Sequence, residues 1–183
     1  MSEQVNKVNG MSDDFVAGVP VLETRRLMIR GFMLADLDDY IAMVSDSEVV
    51  RYVADGVPLN SEMAWQSLAY LMGHWQLAGM GLWALEDKVS GRVIGRAGIY
   101  NPPGWFGPEL GWMLCRDYQG RGLASEAAES IMKWYGNCGV DNPLISVVHP
   151  DNKPALKLVK RLGGTFDEAV KVQDITALKF IYA

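Results

Sequence analysis

The chain has 183 residues, 49% apolar and 21% charged, the balance of an ordinary folded domain with enough length to bury about two-thirds of its unfolded surface. Seventeen basic against 22 acidic residues leave a net charge of −5, which argues against a nucleic-acid binder and its basic stripe. No apolar run nears the roughly 20 residues that span a bilayer, no leader pattern opens the chain, and Cys115 and Cys138 make neither a disulfide framework nor a metal-ligand spacing. Reduced thiols, a cytoplasmic location, no membrane or nucleic-acid partner and no metal are the expectations.

Residues 1–20, rich in Ser, Asn, Asp and Gly, read as a flexible N-terminal arm, and 21–183 as a single domain. Leu27 to Arg30 predicts a strand. Asp36 to Val44 predicts a short helix with Leu37, Tyr40, Ile41 and Val44 on one face, and Val49 to Val53 another helical piece. Asn60-Ser61 is a good N-cap pair for a longer helix striped by Ala64, Leu68, Leu71 and Trp75. Leu82 to Glu86 and Arg92 to Tyr100 read as a hairpin. Asn101 to Pro108, with three prolines and two glycines, must be a loop. Glu109 to Cys115 is the third strand of this run. The best helix follows at Leu123 to Tyr135, then a strand at Leu144 to Val148, a helix from Asn152 or Lys153 to Leu162 closed by Gly163-Gly164, and last strands at Thr165 to Val170 and Thr176 to Tyr182. The order is mixed α/β (α+β), neither a pure βαβ repeat nor a sandwich.

The most informative segment is Gln119-Gly120-Arg121-Gly122-Leu123-Ala124, between a strand and an amphipathic helix. A helix start presents unpaired N–H groups and partial positive charge, and glycines before it let an anion approach the backbone; this is the physics of a phosphate site. Gln119 and Arg121 supply further donors. Equally, Gly120 and Gly122 can simply shape a tight turn. The G-x-G-x-x-G and Walker A spacings are absent.

Gln119, two residues, Gly122, one residue, Ala124 resembles the signature loop of the GCN5-related N-acetyltransferases, the GNAT family. Leu22 to Arg30 resembles the opening of its ribosomal-protein alanine acetyltransferase subgroup, Glu109 to Leu114 its fourth strand, and Asn152-Lys153-Pro154-Ala155 with Arg161-Leu162-Gly163 its later CoA-contacting helix. The resemblance implies a mostly antiparallel, twisted sheet of six to seven strands, with the fourth and fifth splayed and helices on the faces. It implies acetyl-CoA as co-substrate and a primary amine, of a protein N-terminus or a small molecule, as acceptor, with the protein a monomer or homodimer. A longer acyl donor and a non-catalytic acyl-CoA sensor are the alternatives.

In that resemblance the amides of Gly120, Arg121, Gly122, Leu123 and Ala124, with Gln119, hold pyrophosphate. A bulge in the fourth strand frees Trp112, Met113 and Leu114 for pantetheine and thioester, with the Leu114 amide as oxyanion-type donor; ordinary ladder pairing is the plain alternative. Asn152 contacts pantetheine, caps a helix ahead of Pro154, or both. Glu109 is the first candidate base and His149 the second; His74 reads as structural. Tyr52, Trp65, Trp105 and Phe106 are candidates for the acceptor pocket. Two positions depart from the family pattern. Ala155 stands where a serine is common, leaving thiolate protonation to Tyr182, a water or no acid, and Gly164 stands where an aromatic is common.

Overall fold

Eight strands build one sheet in a computed structural model that describes residues 18–182. In chain order they are β1 (Leu22–Glu23), β2 (Leu27–Arg30), β3 (Leu82–Asp87), β4 (Val93–Tyr100), β5 (Glu109–Leu114), β6 (Ile145–Val148), β7 (Thr165–Val172) and β8 (Ile175–Ile181). Their order across the sheet is β1-β2-β3-β4-β5-β6-β8-β7, and every neighbouring pair is antiparallel except β5 and β6. The strand beyond the expected six or seven is β1, two residues long and too short to show alternation. Most of the arm lies outside the described residues. Its last two belong to the packed body: Val19 is buried and the Pro20 carbonyl accepts the Trp83 indole N–H at 2.8 Å.

The helices are α1 (Leu37–Val44), α2 (Ser47–Val50), α3 (Ser61–Ala78), α4 (Leu123–Gly136) and α5 (Lys153–Arg161). Asp46 caps α2 by accepting the Glu48 N–H, so this helix starts and ends earlier than apolar spacing alone suggests. Asn60 caps α3 through the Met63 N–H at 2.8 Å, and Gly79, in the left-handed region at φ 66°, closes it. The predicted stripe of α3 is the buried one, with His74 added. Both nitrogens of His74 are committed to the frame: Nδ1 lies 2.8 Å from the Met80 carbonyl, which only accepts, and Nε2 accepts the Asn101 N–H.

Alternation along the strands sorts two apolar cores. On one face Tyr40, Met43, Leu68 and Leu71 pack on Ala84 and Met113. On the other Leu123, Ala127, Ile131 and Val159 pack on Ile29, Leu85, Ile99 and Leu110. Trp75, Trp83 and Trp134 meet edge-to-face in this second core, with ring centroids 4.5 to 6.0 Å apart. Gly164 has a packing reason: a Cβ there would stand 2.5 Å from Val159 Cγ1 and 3.1 Å from the Tyr182 ring, so no aromatic fits.

Candidate active site

The parallel pair β5–β6 touches at one register position, Glu109 opposite Ile145. Beyond it each strand follows its other neighbour, β5 through six pairs with β4 and β6 through four with β8. A wedge opens between them. The Ile145 N–H donates to the Pro108 carbonyl, so strand alternation turns the backbone groups of Leu110, Trp112 and Leu114 towards the β6 side. The expected bulge in β5 is not there: its register with β4 is continuous from Gly95–Leu114 to Tyr100–Glu109, and the irregularity falls between β3 and β4 at Leu85 and Glu86. Divergence from β6, rather than a bulge, frees the β5 edge.

Two β5 carbonyls on that edge are taken by side chains. Ser146 Oγ donates to Leu110 O at 2.7 Å and Gln119 Nε2 to Leu114 O at 2.9 Å. Because the Ser146 proton is spent on Leu110, the neighbouring Tyr182 hydroxyl, 2.9 Å away, donates to Ser146. Tyr182 is buried, with its proton committed there, and is no free acid.

The wedge continues into a cleft of about 690 Å³. Trp112 and Met113 line it from β5, Ser146 to His149 from β6 and the residues after it, and Asn152 and Ala155 from the start of α5. Asn152 caps α5, accepting the Ala155 N–H at 3.2 Å, and still reaches the cleft. Tyr52, Trp105 and Phe106 also line it; Tyr52 packs against His149 with centroids 5.0 Å apart. Trp65 does not. It follows Ala64 by one residue, about 100° around α3, and is 53% exposed outside the lining. Ser67, Tyr70 and Leu71 face the cleft instead.

Glu109 sits at the closed end of the wedge. Trp105 Nε1 donates to one carboxylate oxygen at 2.7 Å, and the Val147 N–H reaches the other at 3.4 Å. Burial pushes its pKa up to about 7, against the pull of these two donors. A carboxylate that titrates there is suited to take a proton from an ammonium group near neutral pH. Its cross-strand partner Tyr100, which accepts from the Tyr70 hydroxyl at 3.2 Å, is pushed up to about 12 chiefly by burial, so it stays a phenol. Sequence reading missed Tyr70, Tyr100 and Arg96; an arginine in the apolar run of β4 was the available signal for the last.

The two non-glycine residues with positive φ among those described, Ala54 and Gln173, both at 51°, line this cleft from the loop after α2 and from the β7–β8 turn. Strained backbone of this kind gathers where geometry serves a site.

Gln119 to Ala124 lies outside this lining, past the end of β5, where Gln119 ties it to Leu114. Gly120 and Gly122 take left-handed φ of 73° and 76°. Gly122 is the N-cap of α4 and offers no side-chain cap, so the first-turn N–H groups are not taken by one. The loop is clamped from behind. Arg26 donates to the Arg121 carbonyl at 2.8 Å and pairs with Glu126 at 2.7 Å, while Thr24 donates to Glu126 at 2.6 Å. The Arg121 guanidinium lies over the Tyr118 ring, 5.3 Å from its centroid. Among the described residues no group of three His, Cys, Asp or Glu is placed to hold a metal, and no helix is long and apolar enough to cross a membrane.

The family profile of the acetyltransferase (GNAT) domain matches residues 26–165, taking in β2, the wedge, the loop and α5. The chain belongs to the GNAT acetyltransferase family. It is 29% identical over 143 residues to the uncharacterized N-acetyltransferase YnaD of Bacillus subtilis (strain 168), covering 78% of this chain and 81% of that one. A crystal structure of an acetyltransferase from Agrobacterium tumefaciens strain C58 matches with a TM-score of 0.79 and 27% identity, over 95% of this chain and 99% of that chain. The ribosomal L7/L12 α-N-protein acetyltransferase RimL, solved in complex with coenzyme A, has a TM-score of 0.76 over 88% of this chain and 97% of its own. At 12% identity that likeness shows the fold alone. This GNAT protein is an acyl-CoA-dependent acetyltransferase.

Proposed function

We propose that this enzyme transfers acetyl from acetyl-CoA to a primary amine, of a protein N-terminus or a small molecule, by direct attack with both substrates bound. The observation that carries the reading is one wedge with a titratable carboxylate, Glu109, at its closed end and the directed backbone edge of Trp112 and Leu114 along its side. The residues fit acetyl-CoA. The uncapped start of α4, with the left-handed Gly120 and Gly122, suits pyrophosphate, and the open β5 edge suits the amide-bearing pantetheine arm. The amides of Gly120, Arg121, Gly122, Leu123 and Ala124 hold the former. The wedge walls at Trp112, Met113 and Asn152 hold the latter.

Bound there, acetyl-CoA supplies a thioester that a free amine attacks without further activation. Glu109 takes the ammonium proton, directly or through one water. The Leu114 amide donates to the thioester carbonyl. The cleft walls at Tyr52, Trp105 and Phe106 orient the amine. His149, packed at a tilt against Tyr52, stands as the second base candidate. Two free thiols, Cys115 and Cys138, support placing the reaction in the reducing cytoplasm. The test is thiol release from acetyl-CoA over a panel of peptide N-termini and small amines. Turnover with at least one amine, lost in Glu109→Gln, is expected. Tight CoA binding with no turnover on any amine would replace this reading with the acyl-CoA sensor.

A further inference from the structure

On the cleft side of the sheet, β4 and β5 set three cross-strand pairs in a row: Tyr100 with Glu109, Gly98 with Gly111, and Arg96 with Met113. Gly111 lines the cleft and a Cβ there would meet nothing within 4 Å, so the β5 floor between the ends is bare, while Gly98 is covered by the Gly81–Leu82 backbone. At one end stands the acid Glu109. At the other, four residues or about 13 Å of backbone away, stands Arg96.

Arg96 is seated, not loose. Its Nη1 donates to the Tyr40 hydroxyl at 2.9 Å, its guanidinium lies 5.9 Å from the centre of that ring, and Tyr40 in turn bonds Ser67 at 2.8 Å. Among the described residues no carboxylate comes within ion-pairing reach of it. Arg26, Arg92 and Arg116 each hold one, and Arg30 holds two. A guanidinium has five N–H donors, of which the Tyr40 bond uses one, and a half-buried charge beside aromatic walls is costly until it is paired. Lys171 adds a second cation to the lining, and among the described residues Glu109 is the one acid there. The cleft is therefore polarised along β4 and β5, with the acid Glu109 at one end and the Arg96 guanidinium at the other.

We propose that Arg96 anchors an acidic group of the acceptor, so that the substrate is an amine carrying a carboxylate or phosphoryl group several bonds from its nitrogen. The planar fork of arginine matches either group with two parallel hydrogen bonds. The bare floor at Gly111 gives the connecting chain its path, and Tyr70, Tyr100 and Trp105 give it apolar walls. The proposal rests on the acetyl-transfer reading of the same cleft but is separable from it, because binding and turnover are different measurements.

The experiment compares 6-aminohexanoate and 6-aminohexyl phosphate with hexylamine, by calorimetry on the CoA-loaded protein and by thiol release from acetyl-CoA. One or both anionic amines should bind at least tenfold more tightly than hexylamine, and the preferred one tells carboxylate from phosphate. Arg96→Met should reduce that advantage to less than threefold, and Arg96→Lys, which keeps the charge but not the fork, should retain part of it; circular dichroism and CoA affinity confirm that both variants fold. Equal binding of hexylamine and the anionic amines, or an advantage that survives Arg96→Met, overturns the proposal. Arg96-dependent binding without thiol release leaves the anchor standing and refutes the transfer reading. Acetylation of hexylamine as fast as its anionic partners does the reverse.

Discussion

Glu109 gives a prediction that needs no knowledge of the acceptor. Burial lifts its carboxyl from an ordinary 4.5 to about 7, a difference of about 2.5 pH units, or about 3 kcal/mol at roughly 1.4 kcal/mol per unit. The raised value means the folded protein holds this proton more tightly than the unfolded chain. The associated stability is fully present below about pH 4.5 and is lost as pH rises through about 7. Glu109→Gln fixes the neutral state. Near pH 4.5 the amide and the protonated acid present similar groups to Trp105 and Val147, so parent and variant should match within about 1 kcal/mol. Above pH 8 the parent carries the buried charge and the variant does not. The amide has one oxygen for two N–H donors, Trp105 at 2.7 Å and Val147 at 3.4 Å, and the mismatched one costs about 1 kcal/mol. The variant should therefore become the more stable protein by about 2 kcal/mol at pH 9. Urea unfolding at pH 4.5, 7 and 9, with unchanged denaturant slope, reads this directly. A difference that does not change with pH would show that Glu109 titrates like an exposed glutamate, and the proton-acceptor role would fall with it. The catalytic counterpart runs the other way. Parent kcat/KM should rise with pH through about 7, and Glu109→Gln should lower it by about 100-fold or more near neutrality. That loss should shrink at high pH, where free amine is abundant.

Gly122→Val should weaken CoA binding at least tenfold in calorimetry with the fold kept. The new Cβ meets only Arg26 Nη2 at 3.6 Å, but a β-branched residue at φ 76° costs about 1–2 kcal/mol and crowds the loop amides. Ala155→Ser should change thiol-release rates by less than tenfold, a barrier change under about 1.4 kcal/mol, because a thiolate leaves without an acid; a much larger gain would show that the natural site lacks one. Ala54→Gly and Gln173→Gly, each relieving a left-handed non-glycine residue, should stabilise the protein by about 1 kcal/mol in urea while raising the acceptor KM, and a loss of stability would refute the strain.

The parts of the fold legible in the sequence were those written in local periods. The α3 stripe repeats every three or four residues, Asn60 and Gly79 punctuate it, and the Gln119–Ala124 loop announces a helix start. Trp65 falls outside the cleft by that same period, since a residue next to Ala64 points away from the stripe. What stayed hidden was register. Nothing in the order of residues says that Tyr100 faces Glu109 or that Gly98 faces Gly111, because pairing is decided by packing between segments far apart in the chain. The Arg96–Glu109 polarity and the burial that lifts Glu109 are products of that pairing. The wedge was expected from the resemblance, but its cause was not: two ladders pulling β5 and β6 apart.

That cause also explains the loop signature. Strands that part company leave carbonyls and amides without ladder partners, and a buried backbone group without one is costly. Here the two kinds of group are treated differently. Leu110 O is satisfied by Ser146 and Leu114 O by Gln119, so two of the edge's three carbonyls are filled by the protein's own side chains. The N–H groups of Trp112 and Leu114 point into the wedge. An edge with the Leu110 and Leu114 carbonyls filled and the Trp112 and Leu114 amides facing inward favours a ligand that brings oxygens, as a pantetheine amide and a thioester do. Gln119 thus works as a brace. Its side chain faces back to Leu114, which fixes the start of the loop to the end of β5 and sets the α4 N-terminus in line with the open edge.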